Sequence, residues 1–143
     1  MYKRQEDGSA AERFAQMVSE LGGPNDLVEN SNAHLPDAPC VLDLPAGGSG
    51  FVSTIDVRAL GHAVVQLGGG RLKQDDVLDL SVGLDRIARV GQALEPDVPL
   101  LRIHARDEES AERVIASVRN AFVLSEEPPE ASPLLGSRID STS

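Results

Sequence analysis

Aromatic residues and cysteine are scarce in this sequence of 143 residues, which has no tryptophan, one tyrosine, three phenylalanines and one cysteine. Proteins that bind single-stranded nucleic acid usually stack its bases on aromatic side chains, so this mode of binding is disfavoured. The lone cysteine, Cys40, excludes a disulfide within the chain and supplies no metal-binding spacing. No apolar run approaches the roughly 20 residues of a membrane-spanning helix.

Positive charge is also in short supply. The sequence has 13 Lys and Arg against 23 Asp and Glu, a formal net charge of −10. Such a surface repels nucleic acid and anionic membranes, so we expect neither as a partner. What is present is 41% hydrophobic residues in a chain of about one domain's length. We therefore predict a soluble, cytoplasmic, acidic protein with an aliphatic core.

Three amphipathic helices are predicted, at about 9–21, 57–67 and 107–121. In the first, Ser9 and Glu12 have the spacing of a capping box. Asp56 and Asp107 precede the other two helices as candidate N-caps. Between the helices lie short β-type segments separated by glycine and proline turns; they are CVLDL, FVSTI, DVLDLSVGL, IARVGQAL and VPLLRIHA. We predict an α+β fold with a mixed β-sheet of the hammerhead type and two main helices, 57–67 and 107–121.

The most conspicuous motif is LGGGRLK, which contains the glycine loop, defined here as Gly68, Gly69, Gly70 and Arg71. A nucleotide-binding P-loop requires Lys followed by Ser or Thr after the glycines, which this motif lacks. A dinucleotide-binding turn follows a strand, whereas these glycines follow a predicted helix, whose C-terminal dipole opposes anions. The loop is thus no phosphate cradle by itself. Two interpretations stay open: a simple helix stop, or a cation-bearing loop that helps to close a cleft.

No other group of residues assembles an active site. The three histidines have no second ligand at a zinc-binding spacing, and the aspartates of DDVLD are interpreted as the solvated face of a strand edge. Cys40 is interpreted as a small core residue. We predict no catalytic residue, no metal site and no cofactor; the residues considered and rejected are His34, His62, His104, Asp75, Asp76, Asp79 and Cys40.

The segment VGQALEPDVPLLRIHA resembles the closing half of a lipoyl or biotinyl carrier domain. Such a domain presents a modifiable lysine at a hairpin tip, and the only lysines here are Lys3 and Lys73. Neither lies in a Met-Lys-Met or Asp-Lys-Ala tip. The carrier function is therefore disfavoured, although the related hammerhead topology is not.

A more specific pattern runs through GFVSTIDVRALGHAVVQLGGGRLKQDDVLDLSVGLDRIARVGQAL and PLLRIHARDEESAE. Its ordered features are residues 50–53, Asp56, 59–61, 67–71, 81–83, 90–91 and 103–105. Together with AAERFAQMVSELGGPNDLVEN upstream, they resemble the C-terminal domain of the pyrimidine nucleoside phosphorylase family. The likeness covers most of residues 7–132, and the glycine loop and Ile-His-Ala ending resemble its bacterial thymidine-preferring branch.

The resemblance implies a parent enzyme with two domains and a cleft that closes for reaction. Family members are cytoplasmic homodimers that use phosphate as co-substrate, displacing thymine from thymidine to leave 2-deoxyribose 1-phosphate. The family's phosphate motif, of the type Lys-His-Ser-Thr-Gly-Gly, and its pyrimidine-binding residues lie upstream of the matching region. The nucleoside and phosphate would therefore contact missing domains, and the glycine loop would assist closure of the cleft.

These considerations divide the chain into four parts. Residues 1–5, MYKRQ, match a translation of the end of a transposon adaptor used in sequencing libraries, and we expect them to be an artefact with the natural protein beginning upstream. Residues 6–39 would be a helix and linker from the parent's α/β body, 40–124 the phosphorylase C-terminal α+β domain, and 125–143 a Pro- and Ser-rich tail. Two alternatives remain: a related phosphorylase acting on uridine or AMP, and a stand-alone, non-catalytic binding module.

Overall fold

The N-terminal part of the chain is helical and exposed. The computed structural model describes residues 7–71 and 73–130. The predicted first helix is α1, Ser9–Glu20, and a short helix α2 follows at Ser31–His34. Neither buries a residue. The interpretation of residues 1–5, and the predicted tail from 131 onward, lie outside the described residues.

The start of α1 differs from the predicted capping box. Gly8 occupies the N-cap position with φ 81° and supplies no side chain to cap the helix. The Ser9 amide instead donates to Asp7 Oδ1 at 2.9 Å. Ser9 is therefore the first residue of the helix, not its N-cap. The left-handed turn at Gly8 brings the carboxylate of Asp7 to the exposed amide of Ser9.

The rest of the described chain confirms the predicted α+β class, with both main helices near their predicted positions. In chain order the elements are β1 Cys40–Pro45, β2 Gly50–Ile55, α3 Val57–Val64, β3 Gly83–Asp85, β4 Ala93–Leu94, β5 Pro99–Ala105, α4 Glu108–Asn120 and β6 Phe122–Ser125. Asp56 and Asp107 are the N-caps, as predicted: Asp56 accepts from the Arg58 and Ala59 amides at 3.0 Å, and Asp107 from the Ser110 amide at 2.7 Å.

The strands form two three-stranded antiparallel sheets, where the sequence predicted one mixed sheet. One has the order β1-β5-β3 and the other β4-β2-β6. A parallel pair requires a crossover that returns to the same sheet. Here α3 leads from β2 in one sheet to β3 in the other, and α4 leads from β5 back to β6. Every neighbouring pair of strands is consequently antiparallel.

The core is centred on β5. Leu101, Ile103 and Ala105 have no exposed surface, and Ile103 is paired with Leu42 of β1 on one side and Leu84 of β3 on the other. Helices α3 and α4 contact each other and this sheet. The apolar stripe of α4 recurs at helical spacing and faces the sheet; its buried members are Ala111, Val114 and Val118.

The segment predicted to be a strand from Asp76 to Leu84 begins pairing only at Gly83, so the strand-edge interpretation of DDVLD is wrong. In this segment, hydrogen bonds from backbone amides to nearby aspartate side chains replace the hydrogen bonds between strands. The Lys73 amide donates to Asp76 Oδ2 at 2.8 Å, and the Ser81 amide donates to Asp79 Oδ1 at 3.1 Å. Aspartates that bond nearby amides in this way compete with strand pairing.

Phe122 lies four residues after Val118, a spacing that would also fit a continuation of the last helix. In the structure α4 ends at Asn120, and Phe122 begins β6, paired with Ile55 of β2. The Asp56 amide donates to the Ala121 carbonyl at 2.8 Å, which joins the chain to β2 at this point. A four-residue spacing fits either state, and only the distant strand distinguishes them. Within the described residues, no helix combines the length and apolarity needed to cross a membrane.

We predict that Ile103→Ala lowers the free energy of unfolding by about 2–5 kcal/mol, because the truncation leaves a cavity between three strands. The matched control is Val57→Ala, whose side chain is 76% exposed and whose loss should change stability by about 0.5 kcal/mol or less. Urea unfolding followed by circular dichroism measures both. Equal effects of the two truncations would show that β5 is not the centre of the core.

Candidate functional site

The glycine loop begins where α3 changes its helical pitch. After Val64 the helix continues through one wider, π-type turn, Val65–Gly69, and Leu67 of this turn is buried. Gly68 then adopts φ 105° and ψ 2°, outside the helical region. A residue with a Cβ is strained there, which explains glycine at this position and ends the helix.

The next two glycines are required by space. A Cβ on Gly69 would lie 2.9 Å from Val64 Cγ1, and one on Gly70 would lie 2.6 Å from Val65 Cγ2. Both neighbours are β-branched and have little rotamer freedom in a helix. The three glycines therefore allow the chain to fold back closely against the end of its own helix. This supports the helix-stop interpretation of the glycines.

Arg71 is the exposed end of the loop. No described residue forms an ion pair or hydrogen bond with its guanidinium. The C-terminal end of α3 carries partial negative charge, which favours a cation nearby and opposes an anion. The geometry therefore leaves Arg71 available to a group outside this part of the chain.

The base of the glycine loop is held by four residues that we call the Asp79 junction: Gly68, Asp79, Ser81 and Arg106. The Asp79 amide donates to the Gly68 carbonyl at 3.0 Å. Asp79 Oδ1 accepts from the Ser81 hydroxyl at 2.6 Å and from the Ser81 amide. Asp79 Oδ2 accepts from Arg106 Nε and Nη2 at 3.2 and 3.1 Å.

These contacts change the chemistry of Asp79. Hydrogen bonds from the Ser81 hydroxyl and amide, followed by those from Arg106, hold the pKa of the Asp79 carboxyl below its ordinary value of 3.8. Its side chain is 21% exposed. The sequence interpretation of Asp79 as part of a solvated face is therefore wrong: the carboxylate has partners on both oxygens.

Sequence reasoning missed Ser81 and Arg106 altogether. The Asp-x-Ser spacing of Asp79 and Ser81 is a local signal for a side chain that bonds the amide two residues on. No local signal marks Arg106, since it lies 27 residues from Asp79. Only the packing of the segment before β3 against the end of β5 brings the two together.

The other candidates remain apart. His34 Nε2 lies 2.7 Å from Asp26 Oδ1, and His104 Nε2 lies 3.2 Å from Asp85 Oδ1 across strands β5 and β3. His62 is exposed on α3, and Cys40 is half-buried at the start of β1. In residues 7–71 and 73–130, no three His, Cys, Asp or Glu side chains come close enough to hold a metal ion.

Several large apolar side chains lie on the surface instead of in the core. The stripe on α1 predicted from the sequence is exposed, with Leu21 just beyond the helix 80% exposed. Val77 and Leu80, which flank Asp79 in the sequence, are 92% and 78% exposed. Other exposed apolar side chains occur on β1, α3 and β6 and between β3 and β5, so exposure alone does not single out one surface of the domain.

The chain is similar to known proteins over most of its length. Residues 51–125 match the family described as pyrimidine nucleoside phosphorylase C-terminal domain. Over 135 residues, 94% of this chain, it is 47% identical to a protein of Burkholderia cenocepacia (strain HI2424) named thymidine phosphorylase. The protein of that name from Burkholderia lata is 48% identical over 121 residues, 85% of this chain. The match covers 31% of the first relative and 28% of the second, so the chain spans about a third of their length or less.

We predict that Gly68→Ala lowers the free energy of unfolding by about 1–3 kcal/mol, the usual range for a residue held in a sparsely populated backbone conformation. Gly61→Ala is the matched control, since Gly61 lies in α3 with open space around its Cα. The control should raise stability by about 0.5–1 kcal/mol because alanine favours helix. Destabilisation of both variants to the same extent in urea would contradict the assigned role of Gly68.

The lowered pKa of Asp79 predicts a pH-dependent contribution to stability. A carboxylate with a lowered folded-state pKa stabilises the fold fully above its ordinary value of 3.8 and loses that contribution as the pH falls through the folded-state value. The difference in unfolding free energy between the wild type and Asp79→Asn should therefore be constant near neutrality and shrink as the pH falls below about 4. A difference that grows on acidification would contradict the assignment.

Proposed function

Because the chain belongs to the pyrimidine nucleoside phosphorylase C-terminal domain family, we propose that it is the C-terminal third of a thymidine phosphorylase. The parent enzyme transfers a pentosyl group: an oxygen of hydrogen phosphate forms a bond to C1′ of thymidine, the bond from C1′ to N1 breaks, and the leaving thymine takes on N1 the proton that the phosphate gives up. The other product is 2-deoxyribose 1-phosphate. The observation that carries the proposal is 47% identity over 94% of this chain to an enzyme of that name.

In this proposal the chain itself supplies no group that touches the reacting atoms. The nucleoside and phosphate bind to the upstream two-thirds of the enzyme, a cytoplasmic homodimer that uses phosphate as co-substrate. Catalysis of this kind depends on orienting the two substrates and on stabilising charge in a closed cleft. The C-terminal domain contributes by completing that cleft.

The glycine loop is the part of this chain that we assign to cleft closure. Arg71 is exposed, carries a permanent charge and has no partner among the described residues, while the loop behind it is braced against α3 and the Asp79 junction. Because the loop is held in place, the Arg71 guanidinium can form a contact with the other domain when the cleft closes. The negative end of the α3 dipole argues against phosphate as the group that Arg71 contacts.

A chimeric enzyme tests the proposal. Residues 7–143 replace the matching C-terminal part of the Burkholderia cenocepacia thymidine phosphorylase, and thymine release from thymidine is measured with and without phosphate. We expect phosphate-dependent activity from the chimera and none from the 143-residue chain alone. A folded but inactive chimera, or an active isolated chain, would refute the proposal.

Within the chimera, Arg71→Ala should lower kcat about tenfold, which corresponds to about 1.4 kcal/mol of transition-state stabilisation. The matched control is Arg58→Ala, which removes the same charge from an exposed position about 15 Å away at the other end of α3. The control should keep the parent turnover. Unchanged kcat and KM in Arg71→Ala would remove the glycine loop from cleft closure while leaving the family assignment intact.

A further inference from the structure

The Asp79 junction joins the glycine loop to the end of β5, the strand at the centre of the core. Arg106 follows Ala105 of β5, which has no exposed surface, and precedes Asp107, the N-cap of α4. The loop itself follows directly from α3. Through Asp79, its base acquires a second attachment to the end of the central strand.

The distances around Gly68 show how closely the glycine loop and the Asp79–Arg106 ion pair approach each other. A Cβ on Gly68 would lie 3.6 Å from Arg106 Nη2 and 3.7 Å from Asp79 Cβ. Gly68 therefore lies directly against the Asp79–Arg106 ion pair, and its carbonyl accepts from the Asp79 amide. Gly68 is three residues before Arg71, so the orientation of its peptide sets the direction in which the loop leaves the helix.

We infer that Asp79 is a positioning residue that acts through Arg71: with Ser81 and Arg106 it fixes the glycine loop in the direction that cleft closure requires. This inference rests on the proposed function. Asp79 touches no substrate. Its carboxylate takes donors from Ser81 on one oxygen and from Arg106 on the other, and this double attachment keeps its amide directed at Gly68.

Asp79→Asn disrupts this arrangement with little change of shape. The amide has one accepting oxygen, so it can serve Ser81 or Arg106 but not both, and its NH₂ group then faces a donor. The matched control is Asp43→Asn, which removes the same charge and breaks the paired contacts from Arg102 Nε and Nη2, at 2.7 and 2.9 Å, between β1 and β5. Arg106→Ala breaks the junction from the other partner, and Arg106→Lys preserves the charge.

The first measurement uses the 143-residue chain and requires no activity. Trypsin cleavage after Arg71 and Lys73 is followed by mass spectrometry, with cleavage after Arg113 in α4 as the internal reference. Asp79→Asn and Arg106→Ala should accelerate cleavage in the loop about tenfold relative to the reference, because cleavage tracks local opening. Arg106→Lys should restore part of the protection, and Asp43→Asn should leave the loop unchanged. Unaltered loop cleavage in both junction variants overturns the inference.

The second measurement is a double-mutant cycle in the chimeric enzyme. If Asp79 acts through Arg71, then Asp79→Asn lowers kcat in the parent chimera and has no further effect once Arg71 is alanine. If Asp79→Asn and Arg71→Ala lower kcat additively in the double variant, the inference about Asp79 is overturned and the role of Arg71 is unaffected. An Arg71→Ala variant with unchanged turnover overturns both the loop's role and this inference, and an inactive parent chimera refutes the proposed function itself.

Discussion

Strand β5 carries three side chains with no exposed surface, and β1, β3 and α4 cover them from three directions. The burial of these three side chains determines where the neighbouring residues of β5 lie. Arg102 and His104, which alternate with the buried residues, are left on the outer face, where each meets an aspartate of a neighbouring strand. Arg106 and Asp107 follow directly and connect the strand to the glycine loop and to the start of α4.

The glycine loop shows how a motif that resembles an anion site can arise from backbone geometry. Gly68 is required by its positive φ, and Gly69 and Gly70 by the closeness of two valines on the preceding helix. In other proteins, a glycine-rich loop binds phosphate through its backbone amides when it lies at the N-terminus of a helix. Here the loop is at a C-terminus, where the electrostatic preference is for the cation that follows it.

Buried polar side chains in the described part of the chain have hydrogen-bond partners, while apolar side chains are exposed at several places on the surface. The core is aliphatic and closed, and no buried side-chain polar atom in the described residues lacks a hydrogen-bond partner. Exposed apolar side chains occur on α1 and beside the Asp79 junction, and also on β1, at the start of α3, between β3 and β5, and on β6.

The sequence by itself determined the α+β class, the extents of both main helices with their aspartate N-caps, and the likeness to the phosphorylase family. These follow from short-range periodicity, capping chemistry and ordered motifs. The separation into two antiparallel sheets, the strand at Phe122 and the Asp79 junction were decided by tertiary structure. Each depends on groups far apart in the chain, such as Ile55 with Phe122 and Asp79 with Arg106. Local patterns carry no information about such pairings, because the partner that lowers the energy is contributed by another element.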